Sequence, residues 1–176
     1  MAGEATPRAL QTDAAAKSLV AEKKCKDCAS KKCDAKLPDD PTTRKVALTT
    51  FAEANATSNK SEFEAVASVM HNRVGNGWGN SVDKVLEKTY WDKRRKKRMY
   101  EFHGYQNDRY KKAERGDLEP GDCAALKKAI AAAEEVQKNG VPDAYKGYTF
   151  FADSRAVSDH TRGTLIGKTI FGTKPF

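Results

Sequence analysis

Two apolar patterns of helical period follow one another in KVALTTFAEANATSNKSEFEAVASVMHNRV, residues 45–74, with only a short polar break between them. A run of this kind folds as two helices joined by a turn, each burying one face. Thr42 or Thr43 is the expected cap of the first helix, which should run from Arg44 to Ala56. At 100° per residue Ala47, Leu48, Phe51, Ala52 and Ala54 cover a broad apolar arc, and Thr49, Thr50 and Glu53 share a narrow polar strip. TSNKS breaks the pattern. The second helix is expected from Glu62 to Val74, with Phe63, Val66, Ala67, Val69, Met70 and Val74 apolar and Glu64, Ser68 and His71 opposite. Glu62 shares a stripe with Val66, Val69 and Arg73, so it points to the apolar side at the helix start, where Asn59 stands three residues before it as a cap partner.

The remaining pattern predicts helices first and short strands last. Residues 8–24 carry a loose helical spacing, and residues 25–42 read as a loop with cysteines and prolines. The chain therefore divides into an N-terminal helix and cysteine-containing linker, 1–42, and a compact domain, 43–176. Within the domain GNGWGN is a loop, and SVDKVLEK is a short helix capped by Ser81. DKRRKKR is a cationic block, and GDCAALKKAIAAAEEVQKNG is a helix with Gly140 after its end. GYTFFA and TLIGKTIFG have strand character. The expected fold class is α+β, predominantly helical, with a small β region near the C-terminus.

Size and charge narrow the function classes. A chain of 176 residues supports one domain with a real core. No stretch approaches the roughly 18 apolar residues of a membrane span, and the N-terminus has no apolar segment of a secretory signal. The net charge of +8 favours polyanionic partners: nucleic acid, anionic lipid or the anionic polymers of a bacterial wall. Four cysteines are present, Cys25, Cys28, Cys33 and Cys123. The first spacing suits a zinc knuckle, but the second is irregular and a fourth ligand is remote. Disulfides are therefore preferred over a structural zinc at Cys25, Cys28 and Cys33.

No phosphate-binding glycine loop, dinucleotide fingerprint or HExxH occurs, and the three histidines, His71, His103 and His160, are scattered. No cofactor is required by what remains, which is carboxylates. Two carboxylates suffice for glycoside hydrolysis if one is held protonated near neutral pH and the other manages the positive charge at the sugar. Apolar neighbours raise a Glu by desolvation. Glu53, beside Phe51, Ala52 and Ala54, meets that requirement if other elements close over its strip, and so does Glu62. On periodicity alone Glu53 reads as a solvated helix carboxylate and Glu62 as a cap partner.

TFAEANATSNKSEFEAVASVMHNRV resembles the signature of the SleB-type cell-wall hydrolases, the spore cortex-lytic enzyme family, which have a lysozyme-like fold. Phe51, Glu53 and Ala54 match its aromatic-x-Glu-Ala segment, and AVASVMHNRV matches its following helix. YEFHGYQND, GYTFFADSRAVS and LIGKTIFG resemble later segments, in order, across about residues 44–172. The resemblance implies cleavage of peptidoglycan glycan strands at the MurNAc–GlcNAc β-1,4 bond with Glu53 as general acid. NATSNKS replaces the family's usual turn, and Glu62 stands where the family tends to have Gly or Gln. A second acid there favours lysozyme-type hydrolysis over the lytic transglycosylase reaction, which uses one acid. Tyr100, Phe102, Tyr105, Gln106 and Asn107 are expected to line the sugar groove by stacking and amide hydrogen bonds, with core packing as the other role open to the aromatics.

Two further readings compete. KRRKKR with its neighbouring aromatics suits a nucleic-acid-binding module, although no nucleic-acid motif is present and no specific nucleic-acid partner is expected. A wall-binding domain without turnover is the other. A wall-cleaving chain acts in the bacterial periplasm or cell wall. Without its own signal it needs delivery by a secretion apparatus, as an antibacterial effector, or by a phage lysis system, as an endolysin. An effector also needs an immunity protein in its producer.

Overall fold

The computed structural model describes residues 33–175. Five helices and five short strands follow in the order α1 (Pro41–Glu53), α2 (Lys60–Asn72), α3 (Val82–Leu86), β1 (Thr89–Asp92), β2 (Lys97–Tyr100), α4 (Asp108–Arg115), α5 (Pro120–Asn139), β3 (Phe150–Asp153), β4 (Thr164–Ile166) and β5 (Thr169–Gly172). The described chain is mixed α+β, and its three-stranded sheet lies near the C-terminus as the patterning predicts, whereas the β1–β2 hairpin comes before α4 and α5 and was not expected. Residues 8–24, expected to be helical, and Cys25 and Cys28 lie outside the described residues.

The ends of α1 and α2 show how local chemistry sets the frame. Asp40, not Thr42 or Thr43, caps α1: its carboxylate accepts the Thr43 N–H at 2.7 Å and the Thr43 hydroxyl at 2.6 Å. Pro41 takes the first helical position, where its missing N–H costs nothing, so the helix starts before Arg44. It also ends early, at Glu53. Ala54 turns extended, and its carbonyl is taken by the Arg109 guanidinium. For α2 the expected cap is found, with the Asn59 side chain accepting the Glu62 N–H at 2.9 Å. Ser81 caps α3 in the same way.

The long helix α5 packs against both α1 and α2. Its buried Ala125, Ala129, Ala132 and Ala133 recur at helical spacing and let the helices approach closely, while Leu126 and Val136 fill the gaps beside Leu48, Phe51, Phe63 and Met70. Thr49 and Thr50, expected on a polar strip, are fully buried, and their hydroxyls have no partner among the described residues. Ser68, expected on the polar side of α2, is also fully buried and donates to the Glu64 carbonyl at 2.7 Å. The helices are enclosed nearly all round, and a two-sided amphipathic reading is too simple for them.

Two antiparallel sheets flank this bundle. DKRRKKR is not a loop alone: β1 and β2 pair Trp91 with Arg98 and Asp92 with Lys97, and only the turn between them is irregular. Asp92 organises that turn by accepting the N–H groups of Arg94 and Arg95. The C-terminal sheet has the order β3-β5-β4, with Ile170 and Phe171 of its central strand fully buried.

A disulfide joins Cys33 to Cys123 near the start of α5. Residues 33–40 are thereby fastened to the bundle, and Asp34 pairs with Lys127 on α5 at 2.7 Å. With Cys33 so paired, a zinc site built on Cys25, Cys28 and Cys33 lacks its third thiolate. Among the described residues no group of three or more His, Cys, Asp or Glu side chains is arranged to hold a metal ion.

Candidate functional site

Glu53 is the last residue of α1, and its surroundings follow from that position. The chain after β2 folds back over the helix end, and the Gly104 N–H donates to Glu53 Oε1. Only glycine fits: a Cβ at residue 104 would lie 2.9 Å from the Glu53 nitrogen and 3.0 Å from Ala52. Burial pushes the Glu53 carboxyl up to about 7, against the opposing effects of the Gly104 hydrogen bond and the nearby positive charge of Arg73. At neutral pH the group is therefore divided between proton donor and carboxylate.

Glu62 lies in the first turn of α2 and is 2% exposed. Thr169, at the start of β5, donates its hydroxyl to Glu62 Oε1 at 2.5 Å. The β4–β5 turn lies directly over the carboxylate. Gly167 in that turn has φ +62°, and a Cβ there would fall 2.3 Å from Glu62 Oε2. This turn therefore needs glycine for two reasons, its backbone conformation and the acid beneath it.

Glu53 and Glu62 line one cleft of about 370 Å³, walled also by His103, Asp153, Arg155 and Lys168. The two acids singled out from the sequence are thus brought together. The other expected site residues are used differently. Phe102 and Tyr105 are buried in the core, and Tyr100 packs edge-on against Tyr105 with ring centroids 4.9 Å apart. Asn107 caps α4 by accepting the Tyr110 N–H. Gln106 adopts a left-handed backbone, φ 60°. None of the five lines the cleft. Their segment contributes instead the Gly104 N–H and the His103 side chain, whose Nε2 is 2.9 Å from the Tyr90 hydroxyl.

Arg73 is the main supporting residue that periodicity did not single out. It is 5% exposed, with its guanidinium carbon 3.9 Å from the Trp78 ring centroid and 4.5 Å from that of Phe102. Its Nε donates to the Thr149 carbonyl at 2.7 Å, while Nη1 is buried without a partner among the described residues. Burial draws its guanidinium down to about 10, opposed by Glu101 and Glu53. Arg73 thus holds the aromatic segment two residues before Gly104. The Asn-Arg-Val ending of the second helix was the available signal.

Asp153 stands at the end of β3. Arg155 holds its carboxyl down at about 2. No family model matches this chain, and neither does any curated protein or solved structure.

Proposed function

We propose that this chain cleaves the glycan strands of peptidoglycan at the MurNAc–GlcNAc β-1,4 bond, within a lysozyme-like domain. The carrying observation is a desolvated Glu53, poised at about 7, in one cleft with a second carboxylate, Glu62. In hydrolysis Glu53 delivers its proton to the glycosidic oxygen as the bond to the anomeric carbon breaks. Glu62 faces the positive charge that develops there or takes the proton of the attacking water. Sulfur, metal and nucleotide chemistry are not needed for any of these steps.

A second reading, a lytic transglycosylase using Glu53 alone, is favoured by the enclosure of Glu62 beneath Gly167 and its bond to Thr169. There the sugar's own 6-hydroxyl attacks, no water is consumed, and Glu53 takes back the hydroxyl proton. Purified peptidoglycan treated with the wild type, Glu53→Gln and Glu62→Gln separates the two by mass spectrometry of the released muropeptides. Reducing ends lost in both variants indicate hydrolysis. 1,6-Anhydro ends lost only in Glu53→Gln indicate transglycosylation. Unchanged release by Glu53→Gln removes the proposal.

A different class of function keeps one structural support. Residues 93–98 of the β1–β2 hairpin are all exposed, and Trp91 beside them is 59% exposed. Tight, steeply salt-dependent binding of DNA or RNA, with no release of muropeptides, would select that nucleic-acid reading. Action on the wall places the chain in the periplasm or cell wall, and in the effector case calls for an immunity protein in the producer.

A further inference from the structure

We infer that a hollow opening off the catalytic cleft is a subsite for the carboxylates that hang from the glycan strand, and that Arg155 and Lys168 bind them. The inference rests on the glycan-strand reading above and adds to it a choice among substrates. The hollow has a volume of about 290 Å³ and is lined by Asn55, Ser154, Arg155 and Lys168. Asn55, Arg155 and Lys168 also line the cleft that holds Glu53 and Glu62, so the two spaces share three walls.

The two cations stand where the cleft and the hollow meet. Glu53, Glu62 and Asp153 line the cleft together with Arg155 and Lys168, whereas the hollow is lined by the same two cations and no carboxylate. A neutral sugar ring fits at the acids. An acidic substituent on that ring is repelled there and attracted toward Arg155 and Lys168. Peptidoglycan has this layout: its rings are uncharged, and its carboxylates sit on the lactyl groups and on the peptide stems attached to them. Chitin has the same backbone without the acids.

Both cations have a partner on the protein surface. Arg155 is forked onto Asp153, Nε to Oδ1 at 3.0 Å and Nη2 to Oδ2 at 2.6 Å, and its own N–H bonds the same carboxylate at 2.9 Å. No described residue bonds its Nη1, which leaves a donor for a ligand oxygen. Lys168 follows Gly167 in the turn over Glu62. Its Nζ spans to the Thr57 hydroxyl at 3.3 Å, and Thr57 in turn donates to Asn55 Oδ1 at 3.2 Å. The lysine thus bridges the β4–β5 turn to the α1–α2 turn at the junction of cleft and hollow.

The test uses the full chain carrying Glu53→Gln, so that binding is read without turnover. Three ligands are titrated by calorimetry at about 50 mM salt: chitotetraose, a stem-free peptidoglycan tetrasaccharide with open lactyl carboxylates, and the same tetrasaccharide with peptide stems. Amide resonances of Ser154, Arg155 and Lys168 locate the contact. Expected is an advantage of about tenfold for one or both acidic ligands over chitotetraose on the same protein, and loss of that ratio in Arg155→Ala with Lys168→Ala. The stem-free ligand distinguishes lactyl from peptide carboxylates. Equal binding of all three, no binding, or an advantage that survives the double substitution overturns the inference. Muropeptide release by the wild type with charge-indifferent binding removes only the subsite. Charge-dependent binding at the hollow with no release removes only the proposed reaction.

Discussion

The Gly104 N–H donates to Glu53 Oε1 while the Gly104 α-carbon sits against the last turn of α1. One residue therefore supplies both the contact that orients the acid and the space that lets the chain reach it. Gly104→Ala places a methyl group 2.9 Å from the Glu53 nitrogen. We expect a loss of about 1–3 kcal/mol in urea unfolding, together with a displaced Glu53 titration by carboxyl NMR. A variant with unaltered stability and titration would show that the close approach is not required.

Glu53 also links stability to pH. Its folded value of about 7 lies above the unfolded value, so the folded state binds more protons between them. Stability from this group is fully present below the unfolded value and is lost as pH rises through about 7. Glu53→Gln should therefore stabilise the protein at pH 8, by up to about 3 kcal/mol, and much less at pH 4. Thermal melts of both proteins across this range check the sign. An equal effect at both ends contradicts it.

Arg73 opposes the burial effect on Glu53. Removing its charge in Arg73→Met should move the Glu53 midpoint above 7, and with it the alkaline limb of the proposed glycan cleavage. Arg73→Lys, which keeps the charge but loses the planar contact with Trp78 and Phe102, should move the midpoint less. Carboxyl NMR of the folded variants reads this directly, even where activity is low.

Gly167→Ala tests the cover over the second acid. The added Cβ would meet Glu62 Oε2 at 2.3 Å on a backbone with φ +62°. Release of muropeptides should fall at least about tenfold if Glu62 must keep its position, and a transglycosylase using Glu53 alone should lose far less. Circular dichroism and a melt establish that the variant is folded.

The Cys33–Cys123 bond closes a sequence separation of 90 residues. The chain-entropy relation gives about 4–5 kcal/mol for a loop of that length. Reduction, or Cys33→Ser with Cys123→Ser, should lower the melting temperature clearly. A melt that does not change on reduction would contradict the constraint that this bond places on the unfolded chain.

What was legible in the sequence follows from the range of the forces involved. Asn59, Ser81 and Gly140 act on their own helix ends, so their roles can be read locally. The β1–β2 hairpin was hidden because its cations erase the usual alternation of apolar and polar residues. The α4 start was hidden because Asn107 was assigned to sugar binding when it serves as a cap. Glu53 and Glu62 were found through chemistry and resemblance. Periodicity had no way to show that Gly104, 51 residues away, covers one, or that Thr169, 107 residues away, bonds the other. Those contacts depend on the fold of the whole chain.

The placement of the two acids on either side of one turn has a further electrical consequence. Glu53 ends α1, where unpaired carbonyls carry a partial negative charge of about half an electron, whereas Glu62 stands in the first turn of α2 among N–H groups of the opposite sign. The segment from Ala54 to Asn59 therefore joins the tail of one peptide dipole to the head of the next. Burial thus raises the Glu53 carboxyl at a helix end where a further negative charge is already disfavoured, and the two effects act in one direction.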